Sequence, residues 1–487
     1  MKNLPFNLYL AAQVRECEQI AINEFGIQSL HLMQNAATSL WTVVQQRWSK
    51  AKKIAVFCGA GNNGGDGYFL ATFALKAGLE VIVYRIEELT QLTGDAQIAC
   101  ETYQQAGGRV ELFEPFLSND AELIVDALFG TGLNREVTGS YAEAIKYINQ
   151  ADCPVLAVDI PSGLHADTGK TLTCAVQADV TVSFVALKQG MFTGDGVTCT
   201  GEILYADLAI PTEVFKRIPP SAQRLKPVIL PRRLRNTHKG SYGHVLVIGG
   251  DRGFSGAVRL AAEAALRTGA GLVSVATHPD HAHTINSGRF ELMVHGVENM
   301  TQLAPLLDKA SVIVLGTGLG QQAWGAALFV AAITQQKPLV IDADALNLLV
   351  KHPHYQPNRI LTPHPGEAAR LLFCSTQEIA ANRFAAVQKI QANYGGVCLL
   401  KGAGTLLADG QGISVLNAGN PGMASGGMGD VLSGVIGGLL AQGLSLTQAT
   451  EAGAYIHSTA ADLAAAELGE RGLLAGDLMP YLRRLVN

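Results

Sequence analysis

One arrangement recurs along this chain and constrains its fold more than any other feature. A short apolar run breaks into glycine and aspartate, and a helical stretch follows. Residues 54–58 (Ile-Ala-Val-Phe-Cys) run into Gly59-Ala-Gly-Asn-Asn-Gly-Gly-Asp-Gly67. Residues 123–126 and 155–159 end in Asp126 and Asp159, followed by Ala127-Leu-Phe-Gly-Thr-Gly-Leu133 and Ile160-Pro-Ser-Gly163. Further strands are expected at 244–248, 272–276, 312–315, 339–341 and 397–400. Their turns include Gly249-Gly-Asp-Arg-Gly-Phe-Ser-Gly256, Gly316-Thr-Gly-Leu-Gly320, Asp342-Ala-Asp344 and Lys401-Gly-Ala-Gly-Thr405. Near-continuous aliphatic runs suit strands buried on both faces, as in a parallel sheet covered by helices. The expected fold is therefore α/β. Its polar chemistry should gather at the carboxyl ends of the strands, where open sheets of this kind bind ligands.

A chain of 487 residues exceeds one ordinary domain, and a prior of ~150 residues per domain allows two or three. Between Ile210 and Leu234 the composition changes. Pro211, Pro219, Pro220, Pro227 and Pro231 alternate with Lys and Arg, with no sustained period. This places a linker at 216–234 between an N-terminal domain (1–215) and a C-terminal domain (235–487). In the first, 11–24 and 29–48 read as helices, the second with Leu32, Met33, Ala36, Leu40, Val43, Val44 and Trp48 on one face. Gly59, Gly61 and Gly64 lie between a strand and a helix at the spacing of a dinucleotide fingerprint, which makes this domain Rossmann-like. Arg85 stands about where an acidic residue usually closes the second strand. Asn62, Asn63 and Asp66 add polar side chains that a plain fingerprint lacks.

Composition closes off several function classes. Only 16% of residues are charged, against roughly 25% on average, which describes well-buried cores. A net charge of -5 leaves no basic surplus for nucleic acid. No apolar run approaches the ~20 residues of a membrane span, and the first residues lack a secretory cleavage pattern. Eight scattered cysteines without Cys-x-x-Cys read as reduced thiols of a cytoplasmic protein. Gly163-Leu-His-Ala-Asp-Thr-Gly-Lys-Thr171 is not a Walker loop, because five residues separate its glycines where four are required. His278, His281 and His283 read as a solvated turn.

Residues 417–434 carry the strongest chemical signal. Six glycines fall within 18 residues, then Asp430 appears, then an apolar run at helical spacing. Glycines at that density let backbone amides approach a ligand, and a helix beginning there points its unpaired N–H groups at an anion. Asp430 is then placed to take a proton from a hydroxyl attacking phosphate.

Together, Thr362-Pro-His-Pro-Gly-Glu367, Lys401-Gly-Ala-Gly-Thr405 and Asn420-Pro-Gly-Met-Ala-Ser-Gly-Gly-Met-Gly-Asp430 resemble the ADP-dependent NAD(P)H-hydrate dehydratases, which have a ribokinase-like fold. Gly59 to Gly67, with Asp126-Ala-Leu-Phe-Gly-Thr-Gly132 and Asp159-Ile-Pro-Ser-Gly163, resemble the NAD(P)H-hydrate epimerases. Both in this order are similar to the bifunctional nicotinamide nucleotide repair enzymes. The resemblance implies epimerisation of R and S NAD(P)HX, then dehydration of the S form to NAD(P)H, with ADP giving AMP and phosphate. It implies Asp430 and Asp159 as catalytic residues, with Lys188 second to Asp159.

For the epimerase half it implies hydrate binding by Asn62, Asn63, Gly64, Gly65, Asp66, Gly130, Thr131, Gly132, Leu133, Asn134, Arg135, Glu136 and Asp159. A potassium ion would lie on Asn63, Asp126 and Ser162. For the dehydratase half it implies hydrate contacts from Ala257, Gly318, His364 and Asp430. The nucleotide would lie on Lys401, Gly402, Ala403, Gly404, Thr405 and Gly429, with magnesium accompanying ADP. A homo-oligomer is also expected. Two alternatives stay open at this stage: a ribokinase-like alcohol kinase, which would release a phosphorylated product, and a binding protein whose first domain no longer catalyses.

Overall fold

The computed structural model describes residues 4–87, 92–115 and 120–487. The chain divides into two compact units, Met1–Gln223 and Arg224–Asn487. Helix Thr212–Arg217 ends, and strand Ala222–Arg224 lies, within the stretch 216–234, while 225–238 carries neither helix nor strand.

In the first unit seven strands form one sheet in which every pairing is parallel. The order is Arg109–Leu112, Glu80–Arg85, Lys53–Cys58, Leu123–Ala127, Val155–Val158, Val180–Phe184 and Glu202–Ala206. Strand order reverses between Lys53–Cys58 and Leu123–Ala127. At such a switch point the loops leave in opposite directions and open a crevice. Helices Ala11–Phe25, Ser29–Arg47 and Asn62–Lys76 contribute to the core on one face of the sheet, and Gly139–Asn149 to the core on the other. The fingerprint glycines divide their work. A Cβ on Gly59 would lie 1.9 Å from Leu128 O and one on Gly64 2.0 Å from Gly59 O, whereas Gly61 faces open space. The outer two close the strand–turn–helix packing, and the middle one leaves the backbone open to a ligand.

A short ribbon sets the entry of the chain. Strand Asn7–Tyr9 pairs in parallel with Leu187–Lys188, with Tyr9 opposite Lys188. Ala11 N then donates to Asp167 Oδ1 at 2.7 Å, so helix Ala11–Phe25 starts beside Lys188.

The second unit is also doubly wound. Met293–Gly296, Leu272–Thr277, His244–Ile248, Val312–Leu315, Leu339–Ile341, Arg359–Leu361 and Val397–Leu400 run parallel in that order, followed by antiparallel Leu406–Ala408 and Ile413–Val415. Helix Met428–Ala441 lies close against helix Ser255–Thr268, and glycine in the helix interior permits this. A Cβ on Gly434 would stand 2.0 Å from Ala261 O. Gly434→Ala should therefore force the helices apart and destabilise this unit by about 3 kcal/mol, read as a lower denaturant midpoint at unchanged slope.

Two candidate active sites

In the first unit a cavity of about 770 Å³ opens at the switch point. Its walls include Asn62, Asn63 and Asp66 from the glycine loop and helix, the run Gly130 to Arg135, and Asp159. Helix Asn62–Lys76 begins at Gly61 with no side-chain cap, so its first amides are available to an anion. Asn63 Nδ2 is buried with no hydrogen-bond partner among the described residues. Burial, reinforced by the charges of Asp159 and Glu18, holds the Asp66 carboxyl well above its ordinary range.

Asp159 sits at φ 67°, a left-handed conformation that non-glycine residues adopt only when the surroundings enforce it. Phe184 N donates to its Oδ1 at 2.9 Å, and Lys188 Nζ donates to the same atom. Lys188 is fully buried and also donates to Phe184 O at 3.0 Å and Ser183 Oγ at 3.1 Å. The carboxylate is thereby fixed through Oδ1, and Asp159 lines the cavity. Asp126 lies behind the wall, fully buried. It accepts from Ser162 N at 2.8 Å and Ser162 Oγ at 2.6 Å, and burial pushes its carboxyl up to about 6 against those bonds.

In the second unit the functional groups come from successive strand ends. Helix Met428–Ala441 starts at Gly427, in the left-handed region at φ 88°, without a side-chain cap. Asp430 occupies its first turn. Burial and then the charge of Asp342 push its carboxyl up to about 7, against the pull of Lys401. Lys401 Nζ donates to Asp342 Oδ1 at 2.8 Å and lies 3.9 Å from Glu367 Oε2. Burial disfavours its charge, but Asp342, Glu367 and Asp430 outweigh that and raise it. Ser433 Oγ donates to the second Asp342 oxygen at 2.8 Å. A Cβ on Gly429 would stand 3.3 Å from Lys401 Nζ, so the helix start and the lysine face one space. His364 caps helix Pro365–Leu372: Nδ1 accepts from Gly366 N at 2.9 Å, and Nε2 lies 3.5 Å from Glu367 Oε1. Burial, then the charges of Lys401 and Arg370, lower its basicity and favour the neutral ring.

The remaining expected residues distribute as follows. Gly64 and Gly65 are buried in the first turns of helix Asn62–Lys76. Glu136 is exposed and accepts from Thr173 Oγ1, outside the cavity lining. Arg85 is not part of that lining either, whereas Glu87 is. A Cβ on Gly318 (φ 61°) would lie 3.2 Å from Ala257 Cβ, so these two are neighbours. Gly402, Ala403, Gly404 and Thr405 form the turn after strand Val397–Leu400, with Thr405 Oγ1 donating to Gly402 O at 2.9 Å.

Sequence reasoning missed the groups that hold these loops. Asp462 accepts from Gly419 N and Asn420 Nδ2, both at 2.9 Å, and so anchors the glycine-rich loop through helix Leu446–Leu468. Glu18 and Arg15 line the first cavity from helix Ala11–Phe25. A polar face on an otherwise apolar helix was the available signal for the latter pair.

Comparisons with known proteins match a family to each half of the chain. Residues 245–484 match the family model described as NAD(P)H-hydrate dehydratase, and residues 29–190 match the YjeF-related protein N-terminus. The chain is 48% identical over 485 residues to the bifunctional NAD(P)H-hydrate repair enzyme Nnr of Coxiella burnetii, covering 99% of both proteins. It is 42% identical over 492 residues to the enzyme of that name from Escherichia coli, covering 100% of this chain and 95% of the relative. A solved ribokinase-like superfamily protein from Enterococcus faecalis is similar at a TM-score of 0.50 and 29% identity, over 53% of this chain and 91% of that one. Among the described residues no helix is long and apolar enough to cross a membrane. With both halves present in the same order, the chain belongs to the bifunctional NAD(P)H-hydrate repair enzymes, an isomerase joined to a lyase.

Proposed function

We propose that the first unit interconverts R and S NAD(P)HX through Asp159, and that the second dehydrates the S form with ADP through Asp430. The observation that carries this reading is the carboxylate of Asp430, raised to about 7, in the first turn of an uncapped helix beside Lys401. The hydrate bears a hydroxyl on C6 of its reduced ring, and hydroxide leaves poorly. Asp430 takes the hydroxyl proton as that oxygen attacks the β-phosphorus of ADP, and the bond to AMP breaks. The ring nitrogen then expels phosphate from C6, a proton leaves C5, and the double bond of NAD(P)H returns. Lys401 and the amides at Met428 and Gly429 suit the charge on the transferring phosphoryl group.

Two ions fit the donor sets. Asp126, Ser162 Oγ and Asn63 Oδ1 are hard oxygen donors suited to potassium, and a cation there would offset the desolvation of Asp126. When bound it would hold the loops after strands Leu123–Ala127 and Val155–Val158. Asp342 and Asp344 offer the one or two carboxylates that magnesium takes when it binds mainly through nucleotide phosphates, where it would neutralise phosphoryl charge. Eight free cysteines support a cytoplasmic location.

The test is recovery of reduced-nicotinamide absorbance from mixed R and S NADHX, with ADP, magnesium and potassium. Complete conversion is expected. No recovery with ADP or ATP sinks the reading and favours an alcohol kinase. Because the base must be ionised, kcat/KM for dehydration should fall about tenfold per pH unit below about 7, measured on the S hydrate alone.

A further inference from the structure

Glu18 is a titratable wall group of the first cavity that the chemistry above leaves unused, and it lies outside the residues 29–190 matched by the family model. Three facts bring it to the reacting groups. Strand Asn7–Tyr9 is registered against Lys188, so the helix that follows starts beside the lysine holding Asp159. Arg15, Glu18 and Ile22 fall at positions i, i+3 and i+7 of that helix and line the cavity together, so this helix face is turned to the ligand space. The same cavity is lined by Asn63, whose buried Nδ2 has no hydrogen-bond partner among the described residues.

The charge count then assigns a role. Glu18, Asp66, Glu87, Asp95 and Asp159 line the cavity with Arg15 and Arg135, and the buried Lys188 is paired to Asp159. Burial and the charge of Asp159 disfavour the ionised form of Glu18, opposed by Lys188 and Arg15. Glu18, which holds its proton more tightly than an ordinary carboxyl, thus shares one cavity with an Asp159 that is ion-paired to Lys188. That is the pairing needed by a reaction that removes one proton while adding another.

We propose that Glu18 is a second acid–base catalyst of the epimerase half, giving its proton to the ring nitrogen of the hydrate while Asp159 takes the proton of the C6 hydroxyl. This rests on the epimerase reading above. As the O–H proton passes to Asp159, C6 becomes an aldehyde carbon. The C6–N1 bond breaks, its electron pair goes to N1, and Glu18 protonates that nitrogen. Rotation about C4–C5 or C5–C6 presents the other aldehyde face. Closure forms C6–N1 again, Glu18 recovers its proton and Asp159 returns one to oxygen. Nothing is oxidised or consumed.

The test uses the full chain with purified R-NADHX, following R-to-S conversion by chiral separation, and S-NADHX with ADP as a separate assay. Glu18→Gln should lower kcat for epimerisation about 100-fold with KM within about threefold, and leave S dehydration unchanged. Epimerisation within twofold of the parent overturns the proposal, and so does a loss carried by KM alone. If Glu18→Gln does not fold, Glu18→Ala with and without added formate decides. Rescue by formate supports the proposal and its absence overturns it. A parent chain that fails to accelerate R-to-S conversion instead removes the epimerase reading itself.

Discussion

Asp430→Asn should abolish ADP-dependent recovery of NADH from S-NADHX, lowering kcat by about 1,000-fold. The substitution keeps the shape of the side chain and its place in the first turn of helix Met428–Ala441, and removes only the base. Lys401 keeps its bond to Asp342, so the nucleotide turn should persist and ADP affinity should change little. Conversion of R to S hydrate should proceed at the parent rate, because Asp159 and its cavity belong to the other unit. Steady-state rates on the purified S hydrate, with ADP binding by calorimetry, check both halves of the expectation. Retention of rate within tenfold would remove Asp430 from the role of base.

Asp159→Asn should affect both chemistry and fold. Asparagine tolerates the left-handed backbone and can still accept from Phe184 N, so the loop geometry is preserved. Epimerisation should fall at least 100-fold for want of a base. At the same time Lys188 loses its counter-ion in a site with no solvent exposure. Removing one partner of a buried pair costs about 3–5 kcal/mol, and the bonds to Ser183 and Phe184 recover only part of it. The double variant Asp159→Asn/Lys188→Met separates the two effects. It should regain most of the lost stability in denaturant unfolding and none of the epimerisation. Equal destabilisation of single and double variants would show that the ion pair is not the cause.

The glycine-rich stretch 417–434 shows why chemistry and packing are hard to divide in one dimension. Gly427 turns the chain into the helix and Gly429 leaves room beside Lys401, as a ligand site requires. Gly434 serves another purpose, since it lets two helices meet at backbone distance. The Asn420-Pro-Gly turn contributes anchorage: its side chain is tied to Asp462, 42 residues further on.

By itself the sequence determined the elements and the chemistry of their ends. Apolar runs closed by glycine and aspartate mark strands and their carboxyl turns through interactions that are local in the chain. Strands were therefore legible at 54–58, 123–126, 155–159, 244–248, 312–315 and 397–400, as were the motifs around Asp430, Lys401 and Asp159. Tertiary structure decided which ends meet. Glu18 arrives at the cavity because a three-residue strand registers against Lys188, and Lys188 reaches Asp159 from 29 positions away. Asp126 withdraws behind the wall to Ser162, while Asp159, also at a strand end, faces the cavity. Such meetings depend on sheet order and on the path of each crossover. Hydrophobic periodicity records which face of an element is buried, and carries no record of what that face is buried against.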